Sequence, residues 1–355
     1  MTTFDLLLVG YGNVARRFAE MLVERRQRLA DDYGIRARII GITTRREGPR
    51  YVARDLGRTR ASDALSFIRE ACARDGPAAR DGRLVVVETT TLDIERGEPA
   101  VAHVRTALAC GAHVVTANKG PAAFAYRRLA RAAARARRRF LFEGAVMDGV
   151  PIFNLAREAL PAARVVGFRG VVNSTTNYIL TAMEQGRAFD EALAEMQARG
   201  IAEADASLDV DGWDAAAKTA ALANVLLDAD TTPREVERTG ISPATAALAI
   251  EARASGRRLK LVVRGARSGG RVDARVSPES LPAGDLLARL EGQQNALVLQ
   301  TDVLGEVGIV QLGGGLEQTA YALLSDLVTI AATTPRSRPR ARRRRSRGRS
   351  GRRRP

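Results

Sequence analysis

Residues 4–9 form an apolar run, Phe-Asp-Leu-Leu-Leu-Val, that leads straight into Gly10-Tyr11-Gly12-Asn13-Val14-Ala15 and then a helical pattern through Phe18, Met21 and Leu22. Strand, glycine turn and amphipathic helix in this order constrain the fold more than any other stretch of the chain. They predict the first βα unit of a Rossmann-type, dinucleotide-binding domain. Glycines at 10 and 12 allow the tight turn and the close approach of a pyrophosphate, to which the helix N-terminus offers N–H groups. Gly10, Gly12, Asn13, Val14 and Ala15 are therefore cofactor-binding candidates. The plain alternative is a strand-to-helix turn without a ligand.

Short β-branched runs recur at Ile39-Ile40-Gly41-Ile42, Leu84-Val85-Val86-Val87 and Ala112-His113-Val114-Val115-Thr116, each after a plausible helix. Strands alternating with helices imply a parallel sheet with right-handed crossovers. From about Phe140 glycines and polar turns multiply, then a helix-rich stretch runs from Asn177 to Leu227. Strand-like segments follow at Lys260-Leu261-Val262-Val263 and Ala296-Leu297-Val298-Leu299. The expected fold class is α/β, a Rossmann-type domain over 1–139 with a second α+β substrate and dimerisation domain over 140–310. A helix within 311–334 is expected to return to the first domain, and 335–355 to be a disordered arginine-rich tail.

The formal charge is +16, but twelve of the positive charges are arginines between Arg336 and Pro355, which leaves +4 for the first 335 residues. That tail lacks apolar periodicity and cannot bury a core. It could meet nucleic acid by counterion release, yet no aromatic residue is interleaved to stack on bases, so nucleic acid is not an expected partner beyond it. No run reaches bilayer-spanning length, so no membrane contact is expected, and the N-terminus lacks signal-peptide regions. Cys72 and Cys110 have neither metal-ligand spacing nor a disulfide framework, and a reducing cytoplasm is expected.

Only three lysines occur, Lys119, Lys218 and Lys260, against fifty-three arginines. Arginine keeps its proton near neutral pH, whereas a buried lysine can release one. Lys119 ends Thr116-Ala117-Asn118-Lys119, and Lys218 ends Asp214-Ala215-Ala216-Ala217-Lys218, so both are chemical candidates. Lys260 sits in no motif and reads as a chance survivor. His103 and His113 read as structural. Glu203, Asp205, Asp209 and Asp211 precede a helix on which Asp214 and Lys218 share a face. This arrangement suits holding an ammonium group and delivering a proton; its bland counterpart is a capped helix with an exposed ion pair.

The second strand ends Thr43-Thr44-Arg45-Arg46, with no acid for a ribose 2′-hydroxyl and two guanidiniums for a 2′-phosphate. Arg45 and Arg46 thus predict NADP, with NAD as the alternative. Thr90 and Thr91, after the Val85–Val87 strand, are placed beside the nicotinamide half.

Six stretches in this order resemble the homoserine dehydrogenase family over roughly residues 4–334. They are the glycine turn, Thr116–Lys119, Glu143-Gly144-Ala145-Val146-Met147-Asp148-Gly149-Val150-Pro151, Asn173-Ser174-Thr175-Thr176-Asn177-Tyr178-Ile179-Leu180, the acidic segment ending at Lys218, and Gly313-Gly314-Gly315-Leu316-Glu317-Gln318-Thr319-Ala320. The resemblance implies interconversion of L-homoserine and L-aspartate 4-semialdehyde with a nicotinamide cofactor, in threonine, methionine and isoleucine biosynthesis, by a homodimer. It implies that Lys218 donates the proton to the carbonyl oxygen, with Asp214 and Lys119 catalytic beside it. Glu203, Thr175 and Asp209 would bind substrate, and Gly315 and Lys119 would border the cofactor. It further implies a monovalent-cation site, for sodium, on the backbone carbonyls of Glu143, Val146, Asp148 and Val150.

Hydride transfer to an aldehyde builds charge on oxygen, which a neighbouring ammonium stabilises and protonates. A second cation nearby is expected to lower the pKa of either lysine. Two departures stand out: Ala15 replaces the third glycine of the turn, and Ser174 stands where the family commonly has glycine. The closing helix runs directly into the tail, so no C-terminal ligand-sensing domain and no threonine feedback through one are expected. Two other readings use part of the pattern: another two-domain amino-acid dehydrogenase, and a nucleotide sensor acting on nucleic acid through the tail.

Overall fold

The computed structural model describes residues 1–74, 81–199, 201–202 and 205–333. The tail lies outside them. Among the described residues, two six-stranded sheets organise the fold. The first has the order β3-β2-β1-β4-β5-β6, with β1 Thr2–Val9, β2 Ile35–Thr44, β3 Gly48–Tyr51, β4 Leu84–Glu88, β5 His113–Thr116 and β6 Phe140–Leu141. All its pairings are parallel except β2 with β3. Leu6 and Leu8 enter one core and Leu7 and Val9 the other, as a strand buried on both faces requires. Helices cover both faces: α1 Asn13–Glu24, α2 Arg26–Tyr33, α3 Ala64–Arg74, α4 Ala100–Ala109 and α5 Gly120–Ala136.

Phe140–Leu141, where the texture of the sequence changes, pair in parallel with β5 and complete the first sheet. A two-residue strand is too short for periodicity to reveal.

The second sheet has the order β12-β11-β7-β9-β10-β8, from β7 Val165–Val171, β8 Glu237–Arg238, β9 Arg257–Ser268, β10 Arg271–Pro282, β11 Asn295–Thr301 and β12 Gly305–Gln311. It is antiparallel apart from β8 beside β10. Helices α6 Ser174–Glu184, α7 Phe189–Ala198, α8 Trp213–Leu226 and α9 Thr245–Ala254 accompany it. Helix α8 also packs on α5, joining the two halves, and Asn224 donates to the Ala122 and Ala123 carbonyls across that joint. The last helix, α10 Leu316–Thr333, does return: Ala320, Leu323, Leu327 and Ile330 enter the core formed by Phe4, Phe18 and Met21.

Two side-chain readings change with the fold. Lys260, read as incidental, is 1% exposed on β9, its ammonium bonded to the Leu290 carbonyl at 2.6 Å and to Asn177 Oδ1 at 3.0 Å. Burial lowers its pKa to about 8. Cys72 and Cys110, unrelated by sequence spacing, meet between α3 and α4, where the Cys72 thiol hydrogen-bonds Cys110 and lowers its pKa to about 7.

Candidate active site

The chain leaves β7 through Val172 and enters α6 at Asn173, an extended residue whose Oδ1 accepts from the Thr176 N–H at 2.9 Å. An asparagine in this position satisfies one of the helix's free N–H groups. Its Nδ2 donates to Asp209 Oδ1 at 2.7 Å and to Asp214 Oδ2 at 2.9 Å. Asp214 lies in the first turn of α8 and Lys218 one turn later, so that Lys218 Nζ is 2.9 Å from Asp214 Oδ2 and donates to the Val172 carbonyl at 2.6 Å. From the other half of the molecule, Lys119 at the start of α5 reaches Asp214 Oδ1 at 2.9 Å. One carboxylate thus bridges two ammonium groups from different domains.

Lys119 is held in place by its own turn. Thr116 Oγ1 donates to buried Glu88 at 2.9 Å and accepts from the Asn118 N–H at 2.9 Å. Asn118 Oδ1 caps the Gly120 N–H at 2.8 Å, and its Nδ2 donates to the Thr90 carbonyl at 2.9 Å.

Burial by itself would raise the Asp214 pKa, but the charges of Lys119 and Lys218 overrule it and hold the carboxyl far below the ordinary range. Burial would lower the Lys218 pKa, yet it is raised, because Asp214, with Asp148 and Asp209 further off, outweighs the desolvation. The expected lowering by a second cation is therefore corrected for Lys218: the carboxylate stands between the two ammoniums. Asp209 is raised, by burial first and then by Asp214, despite bonds from Asn173 and Thr175. Thr175 is buried in the first turn of α6. Glu203 lies outside the described residues.

A cleft of about 930 Å³ at the carboxyl ends of β1, β2 and β4 is lined by Gly10, Gly12, Asn13, Arg45, Arg46, Thr90 and Thr91, among others. Gly10 has φ +86°, and a Cβ there would lie 2.8 Å from the Thr89 carbonyl, whereas a Cβ on Gly12 would meet nothing within 4 Å. Val14 and Ala15 face inward instead: Ala15 is fully buried, and Val14 packs against the core around Phe4 and Phe18. Gly315 lies apart from this lining, its N–H donating to Asp148 Oδ2 at 3.1 Å.

Sequence reasoning missed several neighbours. Arg16, one helical turn after Gly12, and His103 both line the cleft. So does Glu47, a carboxylate paired with Arg50 at 3.4 Å, in the turn directly after Arg46. The end of β2 itself carries no acid, but Glu47, three residues past Thr44 and across the turn, reaches the cleft. Asn173 was visible in its motif but had no periodicity to mark it as the link between two carboxylates.

In the Glu143–Val150 loop the oxygens open to a cation are backbone carbonyls. Among the described residues no N–H bonds to the Val146 or Asp148 carbonyl, while the Val150 carbonyl already accepts from Ile152 at 2.8 Å. Two buried acids flank the loop: Glu143 accepts from the Phe153 and Asn154 N–H groups, and Asp326 accepts from the Glu143 N–H at 3.0 Å with its other oxygen unpartnered. Carbonyl oxygens beside two buried carboxyl groups, whose pKa values burial raises, to about 8 for Asp326, offer a monovalent cation hard oxygen donors.

Residues 10–143 match the family model described as homoserine dehydrogenase, NAD binding domain, and residues 151–328 that described as homoserine dehydrogenase. The NAD(+)-dependent homoserine dehydrogenase of Pseudomonas canavaninivorans is 36% identical, over 95% of this chain and 98% of its own length. Homoserine dehydrogenase of Methanocaldococcus jannaschii is 32% identical, over 93% of this chain and 99% of that protein. A crystal structure of a homoserine dehydrogenase from Thiobacillus denitrificans superposes with a TM-score of 0.79 at 30% identity, covering 93% of this chain and 74% of the other. With a dinucleotide cleft, a half-buried lysine–carboxylate–lysine bridge and matches to both domain models over most of its length, the chain belongs to the homoserine dehydrogenase family.

Proposed function

We propose that Lys218 carries the proton in the reaction of this oxidoreductase, which interconverts L-homoserine and L-aspartate 4-semialdehyde. The bound nicotinamide supplies or accepts the hydride. The supporting observation is the Asp214 bridge: Lys218 is an ammonium in a mostly buried site, aimed by a carboxylate and by the Val172 carbonyl. An ammonium so placed stabilises charge growing on the aldehyde oxygen and then protonates it. Asp214 orients it, and Lys119 adds positive charge where the cofactor cleft meets the substrate. Thr175, Asp209 and Glu203 bind the substrate, the acids taking its ammonium group. The test is steady-state turnover of Lys218→Arg, which retains charge without a transferable proton. Near-normal kcat in that variant would refute the assignment.

The proposed cofactor is NADP, taken by Arg45 and Arg46, which are exposed at the cleft and have no ion-pair partner among the described residues. Glu47 in the same turn favours NAD as the second reading, and the Pseudomonas relative carries NAD(+) in its name. Comparing kcat/KM for the two cofactors in the unaltered enzyme and in Arg45→Ala/Arg46→Ala decides between them.

A sodium ion on the carbonyls of Glu143, Val146, Asp148 and Val150 would favour ionisation of the neighbouring Asp326, whose pKa burial raises to about 8. Assembly as a homodimer is supported by the open edge of β12, along which Val310, and beyond its ends Val303, Leu304 and Leu312, are exposed. Sedimentation of the purified protein measures it directly.

A further inference from the structure

Asp148 sits in the left-handed region at φ +48°, and both oxygens of its carboxylate have hydrogen-bond partners. Oδ1 lies 3.0 Å from Thr319 Oγ1, whose one proton it shares with the Gly315 carbonyl at 2.9 Å, while Oδ2 accepts from Gln311 Nε2 at 2.8 Å and from the Gly315 N–H at 3.1 Å. Gln311, at the end of β12, is 4% exposed, and its Oε1 accepts from Asn295 Nδ2 at 3.1 Å. Asn295, at the start of β11 and equally buried, gives the same Nδ2 to Ser174 Oγ at 2.9 Å. An unbroken chain of hydrogen bonds therefore joins α10, the Asp148 loop, β12, β11 and the first residue of α6.

Its direction is dictated from one end. A carboxylate only accepts. Gln311 must therefore turn its amide nitrogen to Asp148 and its oxygen to Asn295, and Asn295 must in turn present nitrogen. The consequence is visible: Asn295 Oδ1 is buried without a partner. Rotating that amide would let Oδ1 accept from the Ser174 hydroxyl, but would set two oxygens face to face at Gln311. A buried acceptor is left unsatisfied only where a stronger demand overrides it.

We infer that Asp148 is a positioning residue for the substrate side of the site, acting through Gln311 and Asn295 on Ser174 and so on the first turn of α6. That turn carries Thr175, and the Asn173 cap before it binds both Asp209 and Asp214. The inference rests on the proposed roles of Thr175 and Asp209, but its test is independent of Lys218.

The test is a charge swap, read as KM for homoserine against kcat and KM for the cofactor, with thermal unfolding as a control. Asp148→Asn can no longer dictate the direction, and KM for homoserine should rise about tenfold, in line with the loss of a charge-assisted hydrogen bond. Asp148→Asn combined with Gln311→Glu restores an acceptor facing Asn295 and should bring KM back to within about threefold of the unaltered enzyme. Gln311→Leu breaks the chain with Asp148 intact and should reproduce the single-variant rise, which keeps the question open to measurement if Asp148→Asn does not fold. A KM within twofold of the unaltered enzyme in either single variant overturns the inference, as does a double variant no better than Asp148→Asn. Failure of the Lys218 assignment would show separately, as kcat retained in Lys218→Arg.

Discussion

Lys119 and Lys218 come from different halves of the chain, and each binds a separate oxygen of the Asp214 carboxylate at 2.9 Å. The carboxylate shields one ammonium from the other and keeps Lys218 protonated. This is the geometry of a proton donor rather than of a resting base.

Lys218→Arg should lose about 10²- to 10⁴-fold in kcat, the usual contribution of a positioned acid or base. Binding of homoserine should change far less, because charge is retained. Steady-state kinetics in both directions measure the two effects.

Homoserine oxidation requires Lys218 to begin without its proton, so turnover in that direction should climb as pH rises into the alkaline range. Asp209→Asn removes one of the carboxylates that raise the Lys218 pKa and should move the rise to lower pH. A pH–kcat profile that stays in place in this variant would contradict the electrostatic account.

Gly10→Ala and Gly12→Ala should separate folding from binding. At Gly10 both φ +86° and the Thr89 backbone 2.8 Å away oppose a side chain, so stability should fall by about 1–3 kcal/mol. At Gly12 a methyl group meets open space, so unfolding should be unaffected while KM for the nicotinamide cofactor rises. Thermal melts paired with cofactor titrations distinguish the two.

His113 is buried where β5 begins, and desolvation, then Arg138 and Arg139, lower its pKa to about 4. Between the unfolded value near 6.5 and this folded value the unfolded chain binds more protons, so stability is intact above about pH 6.5 and falls as pH drops towards 4. The loss amounts to about 3 kcal/mol at most. Denaturant titrations of His113→Asn across that window should show a shallower slope than the unaltered chain.

Much of the first half of the molecule could be read from the chain. Leu6, Leu7 and Leu8 alternate between two cores, and a run apolar at every position announces a strand covered on both faces. Lys119 and Lys218 drew notice because lysine is so rare here, and the four-residue interval placed Asp214 beside Lys218. Lys260 shows the limit of the same reasoning: it lay in no motif, yet its ammonium is enclosed by the Leu290 carbonyl and Asn177, groups 30 and 83 residues away. Glu47 was passed over because the turn after β2, rather than the strand, brings it to the cleft.

Local patterning determined where strands, helices and the glycine turn lie, because side-chain periodicity and backbone freedom act over a few neighbouring residues. It also nominated the lysines, by their proton chemistry. Only the tertiary structure decided that Lys119 would meet Asp214, that Asn173 would tie two acids together, and that the Lys218 pKa would rise rather than fall. Those outcomes depend on distances between distant segments and on burial, and electrostatic energy in a dry site turns on both.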